Sequence, residues 1–320
     1  METQDAIVIE AGDMLAELCG SNDENLFVLE DIFSTRVFSR GNELVLEAGD
    51  GETRGVFLKL IGELAEYIRA GGRPTADIIR AMHASMTGND GENIQLLRDV
   101  SVNVPGSFTR IFPRGMAQAR LIRAIRGADM SFAVGPAGTG KTFLAIACAL
   151  EEVVSKKKRR LILTRPVVEA GESLGFLPGD LTQKLNPYLR PLYDAMEAII
   201  SHESIARMQE NGIIEISPLA YMRGRSLRNC VVILDEAQNT TREQMKMFLT
   251  RLGEDARAVI TGDITQIDLP GRKKSGLVHA VHILRDIREI EFVFFGVSDV
   301  VRHPLVRKII YAYECEDKTS

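Results

Sequence analysis

One short string in the middle of the chain has the residue types and spacing needed to hold phosphate. Between Gly135 and Thr142 the sequence reads Gly-Pro-Ala-Gly-Thr-Gly-Lys-Thr, which fits the phosphate-binding loop G-x-x-x-x-G-K-[ST]. An apolar run, 130–134, precedes it and a helix-like run, 143–154, follows it. In that context backbone N–H groups and the positive end of a helix face the same anion. The residues predicted to contact a nucleotide are Gly135, Pro136, Ala137, Gly138, Thr139, Gly140, Lys141 and Thr142.

A second string, Val231 to Glu236, places two carboxylates at the end of an apolar run. Lys141 would add a mobile charge against the phosphates, while the Thr142 hydroxyl and the Asp235 carboxylate would hold Mg²⁺. Glu236 is then the candidate general base. Taken alone, the glycine-rich string could be a tight turn and the acidic pair a solvated strand end. Each lies in the strand context that its motif requires, so together they predict binding of a nucleoside triphosphate, with ATP and Mg²⁺ as cofactors.

Hydrolysis also needs groups that detect the γ-phosphate and stabilise charge. Gln266 follows another apolar run, so it would emerge beside the two carboxylates unless the loop is merely polar. Arg302 is the first candidate for the charge-stabilising arginine and Arg251 the second, although both could be surface charges. The predicted catalytic residues are therefore Lys141, Glu236, Gln266 and Arg302.

Two other sets of polar residues have recognisable positions. Gln118 lies on an amphipathic segment, 116–125, that leads into the phosphate-binding string. Its side-chain amide has a donor and an acceptor that could hydrogen-bond to the edge of an adenine base, or the side chain could be solvated. Thr240 and Glu243 have the spacing of a capping box, which predicts that they start a helix over 242–252.

Composition excludes several classes of protein. The 320 residues are 45% hydrophobic and 26% charged, enough for a packed core and more readily for two domains than one. No apolar run approaches the roughly 20 residues of a membrane-spanning helix, and the first residues lack the parts of a secretion signal. We therefore expect a cytoplasmic protein without membrane attachment. The four cysteines have no C-x-x-C spacing, so we expect reduced thiols rather than a zinc site.

Charge is divided unevenly along the chain. Residues 1–110 contain 9 Lys and Arg against 19 Asp and Glu, while the whole chain has a net charge of −5. The remainder is therefore basic, with clusters at 156–160, 223–228 and 272–274, and it also holds the phosphate-binding string. A basic part of this kind fits a polyanionic partner, although a lysine run between two elements is often only a solvated loop.

Apolar patterns predict two structural parts. From residue 107 to 320, strand-length apolar runs alternate with helix-like segments, which predicts an α/β domain whose parallel sheet has helices on both faces. Residues 1–86 predict a small α+β domain with the order βααββα and a helical extension, and 87–106 predict a linker. The strand-length runs of the second part are 131–134, 161–164, 213–216, 230–234, 258–261 and 291–295.

The amino-terminal order βααββα resembles that of a KH RNA-binding domain, in which a G-x-x-G turn clamps the nucleic-acid backbone. The turn here runs from Gly20 to Asp23, with an acid in place of the second glycine and further acids nearby. Three interpretations remain open for this KH-like part: a fold used for protein contacts, a weak RNA binder, or an unrelated α+β domain.

Longer strings in the second part resemble those of the PhoH family over residues 115–313. They are LTRP at 163, EAGE at 169, LGFLPGD at 174, NPYLRPLYD at 186, YMRGR at 221, DEAQNTT at 235, TGD at 261, QIDLP at 266 and DVVRHP at 299. The resemblance implies a P-loop NTPase with a RecA-like core similar to one half of a superfamily 1 helicase. It also implies a cytoplasmic ATPase of bacterial RNA metabolism.

The resemblance assigns roles to particular positions. It implies the functions given above for the phosphate-binding string, the acidic pair and Gln266, and it places the segment after Thr164 against nucleic acid. The residues expected to contact RNA are Arg165, Arg223 and Arg225. The chain departs from the family beside Gln118, where Ala117 and Leu121 replace the usual Asn and Tyr, which weakens the case for stacking on adenine there.

The sequence therefore predicts a Mg²⁺-dependent, helicase-like ATPase coupled to RNA binding or remodelling. Two alternatives remain: a nucleotide-gated assembly factor for ribosome or ribonuclease partners without unwinding, and a small-molecule phosphotransferase. Single-stranded RNA is the expected partner, and the resemblance adds an endoribonuclease, YbeY. A superfamily 1 helicase places ATP between two such cores, whereas this chain has room for one. We therefore expect a homo-oligomeric ring, hexameric by resemblance, in which a neighbouring copy supplies the arginine.

Overall fold

A computed structural model of the protein describes residues 5–9, 12–87, 96–97, 99–166, 181–269 and 274–300. The chain divides into two compact units. The first comprises Met1–Ser101 with Arg110–Arg120, and the second comprises Val102–Thr109 with Leu121–Ser320. We expected one boundary near residue 107, but the chain passes between the units more than once because 102–109 pack with the second unit and 110–120 with the first. Residues 88–95 and 98 of the predicted linker lie outside the described residues.

The first unit contains a three-stranded antiparallel sheet in the order β1-β3-β2, with an apolar core between the sheet and the helices. Its order of elements is the predicted one. Residues 21–23 form a single 3-10 turn in which Asn22 and Asp23 adopt left-handed backbone angles. The elements are β1 (Asp5–Val8), α1 (Gly12–Cys19), α2 (Glu24–Phe33), β2 (Val37–Arg40), β3 (Glu43–Leu46), α3 (Gly51–Arg69) and α4 (Ala76–Thr87).

The sequence pattern predicts a helix over 55–70, whereas α3 begins four residues earlier, at Gly51. The reason is an N-cap: the Asp50 carboxylate accepts a hydrogen bond from the Thr53 amide at 2.8 Å. That hydrogen bond lowers the pKa of Asp50. A capping carboxylate satisfies an amide that has no partner within the helix, so the helix includes residues 51–54, which the sequence pattern had left outside it.

In the second unit, the six described strands form a parallel sheet in the order β6-β5-β7-β8-β4-β9. The predicted α/β class and all six predicted strand positions are confirmed, with shifts of one or two residues at strand ends. Helix α5 (Met116–Gly127) begins in the first unit and ends in the second. The other elements of the second unit are β4 (Met130–Val134), α6 (Lys141–Val154), β5 (Arg160–Arg165), α7 (Leu181–Glu197), α8 (His202–Glu210), β6 (Ile214–Pro218), β7 (Cys230–Leu234), α9 (Arg242–Leu249), β8 (Ala256–Gly262), α10 (Gly276–Leu284) and β9 (Ile290–Phe294).

Both faces of this sheet are covered by helices. On one face, Phe132, Val232 and Ile260 pack in a single core with Phe248 of α9 and Leu277 of α10. On the other face lies α6, which contacts β5, β7 and β8. Strands β4 and β7 are buried along their whole length, which explains why their sequences are uniformly apolar.

The strand order determines which loops meet at the carboxyl edge of the sheet. Strand β8 lies between β4 and β7 and pairs with both. The loop that follows β8 is therefore placed between the loop after β4 and the carboxylates after β7. Ligands of open α/β sheets bind at this carboxyl edge.

Two helix starts in the second unit differ from the predicted ones. The sequence pattern predicts a helix over 184–200, and α7 lies there, three residues earlier at each end. Helix α8 was not predicted; Ser201 caps it by accepting a hydrogen bond from the Ser204 amide. The predicted capping box at Thr240 was wrong by one residue. Thr241 and Gln244 form it, at 3.2 and 2.9 Å, whereas the buried Thr240 hydroxyl donates to the Ala237 carbonyl at 2.7 Å.

The cysteines that the structure describes are consistent with structural thiols. Cys19, Cys148 and Cys230 are buried and form no disulfide, and burial raises the pKa of Cys148 to about 12. Cys315 lies outside the described residues. Within the part of the chain that the structure covers, no helix has both the length and the apolar character required to cross a bilayer.

Close packing at the start of α10 generates a stability prediction. A Cβ atom at Gly276 would lie 2.7 Å from the Thr240 hydroxyl oxygen and 2.8 Å from Met245 Cβ. We expect Gly276→Ala to lower the free energy of unfolding by about 1–3 kcal/mol, because overpacking a tight core forces the backbone to shift. Chemical denaturation monitored by circular dichroism measures the change. Gly127→Ala is the matched control, since nothing lies within 4 Å of its Cβ position, and equal effects of the two variants would contradict the prediction.

Candidate functional site

The loop between β4 and α6 has the backbone conformation of a phosphate cradle. Gly138 and Gly140 both have a φ of 81°, a left-handed conformation that other residues adopt only with strain. Gly135 has a φ of 154°, and a Cβ atom there would lie 2.6 Å from Phe295 Cβ. The glycines of the motif are therefore required both by backbone geometry and by the lack of space. Helix α6 begins at Lys141, so its N-terminus faces the same loop.

The Lys141 ammonium is folded back onto its own loop. Its Nζ donates to the carbonyls of Gly135 at 2.7 Å and Pro136 at 2.6 Å, and it lies 3.2 Å from the Thr139 hydroxyl. The side chain is 7% exposed. Because these contacts use the donors that an ammonium has, Lys141 must exchange loop carbonyls for phosphate oxygens when an anion enters.

Burial of the Lys141 ammonium lowers its pKa, and the carboxylates of Asp263, Glu236 and Asp235 oppose that change. The three carboxylates come from two different loops, after β7 and after β8. Lys141 therefore lies near three carboxylates that follow the neighbouring strands, and these carboxylates favour its charged form.

Asp235 is the point at which three segments of the site are joined. Its Oδ1 accepts hydrogen bonds from the Thr142 hydroxyl at 2.7 Å and the Thr261 hydroxyl at 2.6 Å. Its backbone amide donates to the Thr164 carbonyl at 2.9 Å. Asp235 is 4% exposed.

This donor set fits Mg²⁺. A carboxylate and a hydroxyl are the hard oxygen ligands that the ion prefers, and Mg²⁺ usually takes only one or two protein carboxylates, with water and substrate phosphates completing its shell. Among the described residues no group of three or more His, Cys, Asp or Glu could hold a metal. Thr142 and Asp235 remain the residues that would hold it.

Glu236, the candidate base, follows Asp235 in a left-handed backbone conformation with a φ of 51°. Its two carboxylate oxygens have different partners. Oε1 lies 2.9 Å from Nη2 of Arg165, and Oε2 accepts a hydrogen bond from the side-chain amide of Gln238. The carboxylate is therefore held from two sides.

The loop after β8 is tied to both other parts of the site through Asp263. Its Oδ2 accepts the Ala137 amide of the phosphate-binding loop at 3.0 Å, and its Oδ1 accepts the Thr265 amide and hydroxyl. Its own amide donates to the Gln238 side-chain oxygen at 3.0 Å. Gln266, which is exposed, follows within this loop.

These loops enclose a cavity of ≈ 260 Å³. It is bordered by the phosphate-binding loop, the pair that would hold the metal, the candidate base and Gln266. The lining residues are Ala137, Gly138, Gly140, Lys141, Thr142, Phe143, Asp235, Glu236, Gly262, Asp263 and Gln266.

A family model described as "PhoH-like protein" matches residues 110–314. The chain belongs to the PhoH family. A PhoH-like protein from Synechocystis sp. is 46% identical over 307 residues, which is 95% of this chain and 92% of the relative. A PhoH-like protein from Bacillus subtilis is 45% identical over 305 residues and covers 94% of both chains. The resemblance expected from the sequence strings is confirmed, and the fold and family together are those of a P-loop ATPase.

A solved structure that resembles the fold of this PhoH-family chain is the SWI2/SNF2 ATPase core from Sulfolobus solfataricus, determined in complex with double-stranded DNA. It is 16% identical with a TM-score of 0.32, and it covers 45% of this chain and 31% of that chain.

The predicted residues outside the cavity have different positions. Gln118 is buried in the first unit, and its side-chain oxygen accepts the Arg114 amide at 2.8 Å; its contact with adenine stays a prediction. Arg302 lies outside the described residues, so the ring and the arginine that a neighbouring copy would supply also stay predictions. Arg251 lies at the opposite edge of the sheet, where its carbonyl bonds the Leu227 amide ahead of β7. A strand length, roughly 15 Å, separates it from the cavity.

The arginines predicted to contact RNA differ in their surroundings. Arg165 contacts the acidic pair directly. Arg225 forms a two-armed ion pair with Glu215, which raises the pKa of Arg225 and lowers that of Glu215. Arg223 is exposed and follows the carboxyl end of β6. Residues 167–180, expected to face nucleic acid, lie outside the described residues.

Sequence reasoning missed three residues that position the site. Thr261 donates to Asp235 and Gln238 donates to Glu236, and Gly262 leaves space for Gln238, since a Cβ there would lie 2.8 Å from the Gln238 side-chain oxygen. In the sequence, these three residues could have been identified by their positions within the DEAQ and TGD strings. Only the pairing of β7 with β8 brings those strings together.

The contacts of Lys141 predict a loss of nucleotide affinity on its removal. We expect Lys141→Ala to weaken MgATP binding about 10- to 100-fold, because a hydrogen bond to a charged group contributes about 1.5–3 kcal/mol. Isothermal titration calorimetry on the folded variant measures this change. Lys246→Ala, which removes an exposed lysine from α9, serves as the control. Equal affinities for Lys141→Ala and the unmodified protein would rule out the proposed role.

Proposed function

We propose that this chain is a Mg²⁺-dependent ATPase whose hydrolysis is coupled to RNA binding or remodelling. The observation that carries the proposal is the bond between the Thr142 hydroxyl and Asp235, 2.7 Å long, inside a cavity that Lys141 and Glu236 also line. In this arrangement a cation, a metal-binding pair and a carboxylate base can all reach one bound triphosphate.

The chain's own residues have separable tasks in this reaction. The loop amides and Lys141 bind the phosphates. Thr142 and Asp235 would hold Mg²⁺, which supplies positive charge to the phosphate oxygens when bound. Glu236 orients a water molecule and accepts its proton, while Gln266 at the cavity wall contacts the terminal phosphate or that water.

Two surface residues support the RNA part of the proposal. Tyr221 is 52% exposed, and the exposed Arg223 follows it two positions later. Both lie just after β6, at the same edge of the sheet as the nucleotide cavity. An exposed aromatic ring beside a cation can stack a base and neutralise a phosphate, which is how single strands are commonly bound. The family resemblance points in the same direction.

Glu236 provides the test of hydrolysis. We expect Glu236→Gln to lower the rate of phosphate release about 10²- to 10⁴-fold, the usual contribution of a general base, while MgATP still binds. We also expect single-stranded RNA to stimulate the unmodified protein and not this variant. Glu210→Gln, a substitution of an exposed acid on α8, is the control.

The same assay separates the alternatives. Absence of phosphate release from the unmodified protein, with and without RNA, would overturn the ATPase proposal. Release that RNA does not change would favour a nucleotide-gated assembly factor. Transfer of phosphate to a small acceptor would favour a phosphotransferase.

The RNA surface makes a separate prediction. We expect Tyr221→Ala to weaken binding of fluorescent single-stranded RNA about 5- to 100-fold without changing the salt dependence, because stacking is not ionic. Arg223→Ala should instead reduce the slope of log K against log salt by about 0.7, the value for one phosphate contact on a single strand. Fluorescence anisotropy at several salt concentrations measures both. Arg288→Ala, at the opposite edge of the sheet, is the control, and an equal effect there would contradict a localised surface.

A further inference from the structure

Arg165 joins three groups that belong to different elements. It is the last residue of β5, and its Nη2 lies 2.9 Å from Glu236 Oε1 while its Nε lies 3.7 Å from Asp235 Oδ2. Its Nη1 donates to the backbone carbonyl of Tyr188, in α7, at 2.9 Å. The side chain is 18% exposed. Only a guanidinium has donors fixed in several directions of one plane, so a lysine could not make the same three contacts.

The opposite side of Glu236 is held in a comparable way. Gln238 is 1% exposed; its amide nitrogen donates to Glu236 Oε2 and its oxygen accepts the Asp263 amide. The candidate base is thus fixed between α7, reached through Arg165, and the loop after β8, reached through Gln238. Its position depends on both elements.

This ion pair differs from others in the second unit. Arg126 with Glu151 and Arg257 with Glu152 connect groups on helices and strand ends away from the cavity. Among the ion pairs of described residues, those that include a cavity carboxylate use Arg165. The arginine also contacts a helix that packs against α6, the helix of the phosphate-binding loop.

We propose that Arg165 is a positioning residue that sets the placement of Glu236 and links it to α7 through the Tyr188 carbonyl. A displacement of α7 therefore moves the arginine and with it the carboxylate that directs water. The inference rests on the proposed function, since it assigns Glu236 the role of the base. The proposed connection between Glu236 and α7 is separate from the phosphate-binding motif and from contact between Arg165 and RNA.

A double-mutant cycle tests the kinetic part. We expect Arg165→Ala to lower kcat for ATP at least about 10-fold while KM stays within about threefold, because positioning acts on the reaction more than on nucleotide binding. In the Glu236→Gln background the same substitution should change the single-turnover rate less than about twofold, since the group that it positions is already absent. Arg165→Gln repeats the test if the alanine variant does not fold, and Arg165→Lys should not restore kcat.

A second measurement needs no activity. In nucleotide-free protein, we expect Arg165→Ala and Glu236→Ala each to increase hydrogen–deuterium exchange of the α7 peptide that contains Tyr188. Each substitution removes one end of the same link. The control is Arg126→Ala, which removes an ion-paired arginine of the same unit whose side chain is 37% exposed.

The outcomes separate the two proposals. If the unmodified protein hydrolyses ATP but the rate effects of Arg165→Ala and Glu236→Gln multiply, or α7 exchange is unchanged, the role of Arg165 is overturned. If the unmodified protein does not hydrolyse ATP, the proposed function fails, and the exchange experiment still decides whether Arg165 links Glu236 to α7.

Discussion

The nucleotide site depends on one buried carboxylate, Asp235, whose Oδ1 accepts two short hydrogen bonds from threonine hydroxyls. Thr142 belongs to the helix after β4 and Thr261 to β8, so this single oxygen joins segments that are far apart in the chain. A carboxylate that is 4% exposed is costly without such donors. A metal ion bound to phosphate would also neutralise this carboxylate, so a residue that joins three segments of the fold can also hold a ligand.

Around that junction, the charged groups of the site already have hydrogen-bond or ion-pair partners within the protein. Lys141 donates to the carbonyls of its own loop, Arg165 contacts the acidic pair, and Asp263 accepts an amide of the phosphate-binding loop. Nucleotide binding therefore exchanges existing partners instead of filling unsatisfied positions. An exchange of this kind couples occupancy of the cavity to the loops and helices that supply the partners.

The strands of this fold were easier to predict from the sequence than the helix starts. The strands of the parallel sheet were predicted well because both of their faces are buried, so that their sequences are apolar without interruption. The start of α3 and the capping box of α9 were misplaced because each depends on which neighbouring side chain reaches one amide. Asp50 and Thr241 do so, and sequence spacing alone does not distinguish Thr241 from Thr240. Two parts were predicted, but the return of residues 110–120 to the first unit was not, because those residues pack through contacts distant in sequence.

The sequence by itself determined the P-loop, the carboxylates at 235 and 236, the α/β class and the PhoH family, because each is carried by a contiguous string or by local periodicity. The tertiary structure decided the partners of those groups. It placed β8 between β4 and β7, brought Thr261 to Asp235 and the Asp263 amide to the Gln238 side chain, and turned Arg165 toward Glu236. These contacts arise from strand order and from the direction of side chains at strand ends, which no local pattern encodes.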